Sequence, residues 1–174
     1  MTTSSRRPLV AYYSRSGENY WAGGLTELQT GNTALLAQAL ARRTGADLYE
    51  IKTTTPYPLD YRETTRIAQN ELDEDVRPEL AGSLPRLSAY DEIYLGYPVW
   101  WGRAPRAVLS FVEQFDWSGK TVHLFCTHEG SGIAGSVPEL RAKLVGACVD
   151  AGLSLVGHRI AEREAAVKRH FSRQ

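Results

Sequence analysis

The first hydrophobic pattern in the chain, Leu9-Val10-Ala11-Tyr12-Tyr13, is continuous rather than alternating, which is how a strand buried on both faces reads. It stops at Ser14-Arg15-Ser16-Gly17. The next regular pattern is helical. From Asn32-Thr33, the stretch Ala34-Leu35-Leu36-Ala37-Gln38-Ala39-Leu40-Ala41 has helical spacing and strong helix formers, and Gly45 after Arg42-Arg43-Thr44 is the expected stop. Residues 46–51 then read as a short strand, with Asp47, Tyr49 and Ile51 alternating against Leu48 and Glu50. Loop chemistry over 53–58, an exposed helix over 61–72 and a second loop over 76–85 follow. The rhythm resumes with a buried strand over 92–97, halted by Pro98. A helix is expected over 104–115, with Val108, Leu109, Phe111 and Val112 on its apolar face and Pro105 in its first turn. A strand over 120–127, a helix from Pro138 towards Ala151, a strand over 153–157 and a helix over 161–171 complete the chain.

Five strands alternating with helices predict an α/β fold, a parallel sheet covered on both faces. At 174 residues the chain is expected to form a single domain, with a disordered tail over 1–7 and irregular insertions over about 17–31 and 53–85. Twenty basic residues balance twenty acidic ones, so no bulk field draws the protein to nucleic acid or an anionic membrane. No apolar run approaches the ~20 residues of a membrane span. Arg6-Arg7 resembles a twin-arginine signal, but residues 14–19 are polar where such a signal stays apolar, and a cytoplasmic protein is expected. Cys126, at a predicted strand end, and Cys148, in a predicted helix, lack disulfide or metal spacing and read as reduced thiols. His123, His158 and His170 likewise show no metal-ligand spacing, and no metal is expected.

In open parallel sheets ligands bind beyond the carboxyl ends of the strands. Three loops beginning at Ser14, Pro98 and Thr127 therefore converge. The first offers hydroxyls and unencumbered backbone N–H groups suited to phosphate, although the helix N-terminus that should complete the site is delayed to Asn32-Thr33, which also serve as an ordinary helix cap. The second, Pro98-Val99-Trp100-Trp101-Gly102, sets two indoles where ligands sit; one is expected to pack beneath the following helix and the other to offer a flat face for stacking. The third, Thr127-His128-Glu129-Gly130-Ser131-Gly132, supplies small residues and backbone donors. Together they describe a mononucleotide with a planar head, which points to flavin mononucleotide (FMN).

These segments, together with Gly31-Asn32-Thr33 and Gly96-Tyr97, resemble the flavodoxin-like FMN-binding proteins over residues 9 to 156, most nearly the branch whose phosphate loop is split by an insertion. The resemblance implies a three-layer sandwich with a five-stranded parallel sheet in the order 2-1-3-4-5, and FMN as cofactor. It implies phosphate binding by Ser14, Arg15, Ser16, Asn32 and Thr33, and ring contacts by Pro98, Val99, Trp100, Trp101 and Gly102. Further contacts are implied for Thr127, Glu129, Gly130 and Gly132. Two features depart from the pattern: the insertion carries Tyr20 and Trp21, and His128-Glu129 stand where the branch often has Ser or Gly.

A flavin performs the redox chemistry itself while the protein tunes it. Two functions follow: an NAD(P)H-linked flavin or quinone reductase, or an electron carrier that docks to a redox partner protein. Carriers of this type tend to be strongly acidic; a neutral chain favours the FMN-dependent oxidoreductase. Arg103, near the ring loop, and His128, whose ordinary pKa permits proton transfer near neutrality, are the candidate catalytic groups. The insertions offer material for a pocket or a homodimer contact. A phosphoacceptor receiver domain is set aside, because Tyr12-Tyr13-Ser14 supplies no acidic metal ligands.

Overall fold

A computed structural model describes residues 7–171. In chain order the strands and helices are β1 (Leu9–Tyr12), β2 (Gly17–Trp21), β3 (Gly24–Leu28), α1 (Asn32–Thr44), β4 (Asp47–Glu50), α2 (Tyr61–Asp73), β5 (Glu92–Pro98), α3 (Arg106–Val112), β6 (Thr121–His128), α4 (Val137–Lys143), β7 (Cys148–Val156) and α5 (Arg163–Phe171). Five strands form one parallel sheet in the order β4-β1-β5-β6-β7, and β2 and β3 form a separate antiparallel hairpin. The sheet order is the 2-1-3-4-5 arrangement expected.

The continuous apolar runs are explained by two cores. Leu9, Ala11 and Tyr13 of the first strand segment face one side with Leu95, Leu124, Phe111 and Leu140, beneath α3 and α4. Val10 and Tyr12 face the other with Leu36, Leu40, Phe125 and Val167, beneath α1 and α5. Alternate residues fill opposite layers, so every position of the strand must be apolar. Each fully buried leucine in these layers contributes about 1.5–3 kcal/mol.

The structure departs from the expected elements in three places. Residues 17–31 are not irregular: they hold the β2–β3 hairpin, turned at Ala22-Gly23 with φ of 50° and 91°. That is a two-residue turn of the right-handed-twist type. The helix expected from Pro138 to Ala151 ends at Lys143, and Cys148 starts β7, paired in register with Thr121. Val145 is 73% exposed, so the apolar spacing that suggested a longer helix has no core to face. The helix expected over 161–171 begins as a 3-10 turn over Gly157–Glu162 and becomes α-helical at Arg163. Of the tail expected over 1–7, residues 1–6 lie outside the described residues; Arg7 is exposed, 3.8 Å from Asp47. Among the described residues no helix is long and apolar enough to cross a membrane. Cys126 is buried and Cys148 exposed, and both are free thiols.

Candidate functional site

The carboxyl ends of β1, β5 and β6 open into a cleft of about 370 Å³, within the range of small-molecule sites. Its α1 end is built by close approach of backbone to backbone. A Cβ on Gly31 would lie 2.2 Å from Ser14 Oγ and 2.5 Å from the Arg15 carbonyl oxygen, so only glycine lets the first loop sit on the start of α1. Ser14 Oγ accepts the Ala34 N–H at 3.1 Å. The hydroxyl thereby caps a helix twenty residues further on, across the hairpin. The N-cap residue Gly31 supplies no side-chain cap and the first turn of α1 carries no acidic residue, which leaves Asn32 and Thr33 at a positive helix terminus beside the cleft. A buried 2.7 Å hydrogen bond between Thr33 Oγ1 and Thr127 Oγ1 ties this terminus to the end of β6.

Arg15 lines the cleft, but its guanidinium is spent elsewhere. It donates to the carbonyl oxygens of Pro58 (3.0 and 2.8 Å), Leu59 (2.6 Å) and Glu18 (2.5 Å). Its side chain is a clamp between the hairpin and the segment leading into α2. Glu18 completes the joint: its N–H donates to Leu59 O at 2.9 Å and its carboxylate accepts the Tyr61 N–H at 3.2 Å.

The β5 end is aromatic. Trp100 meets Tyr13 and Tyr57 edge to face, with centroids 5.5 and 5.1 Å apart, while Tyr57 donates a 2.6 Å hydrogen bond to the Glu71 carboxylate. Trp101 is the exposed indole of the pair, at 56%. Trp100 and Arg103 exchange both backbone hydrogen bonds, at 2.9 and 3.0 Å, around Trp101 and Gly102, which carry φ of 52° and 72°. A tryptophan in the left-handed region costs about 1–3 kcal/mol. A hydrogen bond from Trp101 Nε1 to Thr65 O at 3.1 Å holds the indole against α2.

The third loop is polar and tied down. The Glu129 carboxylate accepts the His158 N–H at 2.8 Å and the Ala22 N–H at 3.4 Å, and it pairs with His158 Nδ1 at 2.7 Å. It thus links the hairpin tip to the end of β7. His128 Nδ1 accepts the Gly130 N–H at 2.9 Å, which places the neutral ring's proton on Nε2. Burial lowers the His128 pKa below 6.5, against the opposing pull of Glu129, so the ring is neutral at pH 7.

Of the residues singled out by sequence, Ser14, Arg15, Asn32, Thr33, Pro98, Val99, Trp100, Trp101, Thr127, His128 and Glu129 line the cleft. Ser16, Gly102, Arg103, Gly130 and Gly132 do not. Residues not assigned to the site from sequence complete it: Asn19 and Tyr20 from β2, Tyr61, Thr64, Thr65 and Ala68 from one face of α2, and Gly157 just after β7. Tyr20 and Tyr61 lie ring against ring at 6.3 Å, joining hairpin and helix into one wall. The 61-64-65-68 spacing is the one available signal, a helix face of small and hydroxyl residues.

The flavodoxin family model matches residues 7–171. This chain belongs to the flavodoxin family. Among solved structures, a candidate flavoprotein of Bacteroides uniformis shares 30% identity over 95% of this chain and 99% of its own, with a TM-score of 0.73. One from Bacteroides eggerthii shares 28% over 95% and 98%, at 0.70. A flavoprotein of Lactobacillus acidophilus, solved in complex with FMN, shares 20% identity over 92% and 99%, at 0.67, a likeness of fold. No curated protein matches the chain.

Proposed function

We propose that this flavodoxin-family protein binds FMN in the cleft and acts as an FMN-dependent oxidoreductase that takes hydride from a reduced nicotinamide nucleotide. The donor set fits the cofactor. The start of α1 and the backbone of the Ser14 loop, packed together through Gly31, form an anion cradle for the phosphate. Trp100, Trp101 and Val99 line the end suited to the ring, and neutral His128 offers an Nε2 proton on the β6 side. When bound, FMN supplies the electron-accepting chemistry.

The observation that carries the enzymatic reading is the second wall. A one-electron carrier needs only an exposed ring edge at its docking surface. Here the hairpin and α2 prolong the cleft beyond the three strand-end loops, adding Tyr20, Tyr61 and Thr65 to its lining. Such a wall gives a second planar ring a bounded place to lie, and orientation of two reactants is a large part of catalysis. The chain's zero net charge agrees, since it provides no bulk field for steering a partner protein.

The test is anaerobic addition of NADH or NADPH to FMN-loaded protein with the flavin spectrum followed over time. Rapid bleaching supports the reductase. Absence of bleaching with both nucleotides, in a protein that holds FMN, assigns it to carriers; failure to hold added FMN removes both.

A further inference from the structure

Trp100 lines the cleft, yet its indole is held by other rings alone. Among the described residues its indole N–H makes no hydrogen bond, whereas those of Trp101 and Trp117 donate to Thr65 O at 3.1 Å and Val112 O at 2.7 Å. Tyr13, Tyr57 and Trp100 form a closed set: the two tyrosine rings lie 5.9 Å apart, and each meets the indole edge to face. Edge-to-face contacts depend on the angle between the rings, so whatever aims the tyrosines also aims Trp100. Tyr13 is locked in the core at the end of β1, while Tyr57 comes from the loop before α2 and is only half-buried.

The Tyr57 ring is fixed at its tip by the 2.6 Å hydrogen bond to Glu71 Oε2. Burial, and after it the Glu71 carboxylate, push the Tyr57 hydroxyl far above its ordinary value, so Tyr57 donates and Glu71 accepts. Glu71 continues the stripe of α2 that carries Thr64 and Ala68, one turn beyond the residues that line the cleft. Ala68 and Trp100 border the cleft and also a cavity of about 10 Å³ lined by Glu71, which does not itself line the cleft. Arg106 borders the same cavity, but its terminal nitrogens are bonded to Asp75 and Glu139. Tyr57 is therefore the hydrogen-bond partner of the Glu71 side chain.

Resting on the reading that the cleft holds FMN, we propose that Glu71 is a positioning residue of the site: by accepting the Tyr57 hydrogen bond it fixes the tilt of Trp100 in the cleft wall. Glu71 and Tyr57 act through the indole and touch no ligand themselves.

The test compares Glu71→Leu, which removes the acceptor, with Glu71→Gln, which keeps one, and with Tyr57→Phe, which removes the donor and little else. The first readout is near-ultraviolet circular dichroism of the full chain without FMN. Each variant is measured against its own Trp100→Phe counterpart, because the chain has four tryptophans. E71L and Y57F should change the Trp100 signal alike, E71L/Y57F should change it no further, and E71Q should keep the wild-type signal. The second readout is FMN affinity by fluorescence titration. It should fall about two- to tenfold in E71L and Y57F, the worth of one edge-to-face contact, and stay within about twofold of wild type in E71Q. A Trp100 signal unchanged in E71L and Y57F, a changed signal with FMN affinity intact, or equal effects of E71Q and E71L overturns the proposal. The FMN reading fails separately, when the wild type holds no FMN whatever its Trp100 signal.

Discussion

Gly31→Ala tests the phosphate end of the cleft with a single methyl group. The Gly31 backbone, at φ −63° and ψ 149°, is open to any residue, so no conformational penalty attaches to the change. The whole effect is contact: the new carbon would stand 2.2 Å from Ser14 Oγ and 2.5 Å from Arg15 O, where real contacts of this kind stay beyond 3.0 Å. The Ser14 loop must retreat by about 0.8 Å, the difference between the tighter contact and that limit. Overpacking of this kind costs about 1–3 kcal/mol. Stretching the Ser14–Ala34 hydrogen bond adds about 1 kcal/mol, so the FMN-free protein should lose about 2–4 kcal/mol. The same retreat carries the loop's N–H groups away from the phosphate. Losing one charge-assisted hydrogen bond, about 1.5–3 kcal/mol, weakens FMN binding roughly 10- to 100-fold. Urea denaturation of the FMN-free protein and a fluorescence titration with FMN measure the two effects. An FMN affinity within twofold of wild type, at an unchanged denaturation midpoint, would refute the cradle. Adding Ser14→Gly removes the tighter contact and leaves the carbonyl contact, so stability should return only in part.

Three further outcomes follow from the geometry. Trp101→Asn places the residue best suited to the left-handed position in the strained turn; stability should stay within about 1 kcal/mol of wild type while FMN affinity falls roughly tenfold, and a joint loss of both would show that the indole is mainly structural. Arg106, 3% exposed and bonded to Glu139 (2.9 and 2.8 Å) and Asp75 (3.0 Å), lies away from the cleft. Arg106→Met should cost about 2–4 kcal/mol by urea denaturation, less than a fully buried pair because Asp75 reaches solvent, with FMN affinity unaltered. Burial holds the His128 pKa below 6.5 in the folded state, so the unfolded chain binds the proton more readily. Its contribution to stability is complete above pH 6.5 and is lost as pH falls from there through the lowered folded value. His128→Gln should flatten that part of the stability–pH curve, and a parallel curve for the variant would show that the ring is not desolvated.

The central strands β1, β5 and β6 were readable because they are buried on both faces and leave nearly uninterrupted apolar runs, whereas the edge strand β4 showed only as an alternating pattern, β7 only in its second half, and the strand order came from the family resemblance. The loops that follow them were readable for the same reason, since a parallel sheet puts them at one edge. The second wall was not. Its helix presents Thr64, Thr65 and Ala68 to the cleft, residue types that read as an ordinary half-exposed surface, and only the fold shows what they face. The hairpin was hidden differently. Its turn uses Ala22-Gly23 rather than Asn-Gly, and its position is set by Arg15 and Glu18, which bond to Pro58, Leu59 and Tyr61 some forty residues away. Local periodicity carries no trace of such side-chain-to-backbone contacts, because they depend on where the sheet has already placed both segments.

The same contacts explain how a phosphate loop can be divided and still form one site. In an undivided loop, chain continuity holds the hydroxyl residues against the helix start. Here continuity is broken by the hairpin, and two noncovalent links replace it: Ser14 Oγ caps α1 at Ala34, and Gly31 lets the two backbones touch. Arg15, which the resemblance assigned to the phosphate, instead fastens the inserted hairpin to the segment leading into α2. With that guanidinium engaged, the proposed anion cradle rests on the helix terminus and backbone N–H groups. The insertion is therefore part of the cleft's construction: it engages the one basic side chain of the Ser14 loop and adds Asn19 and Tyr20 to the cleft wall.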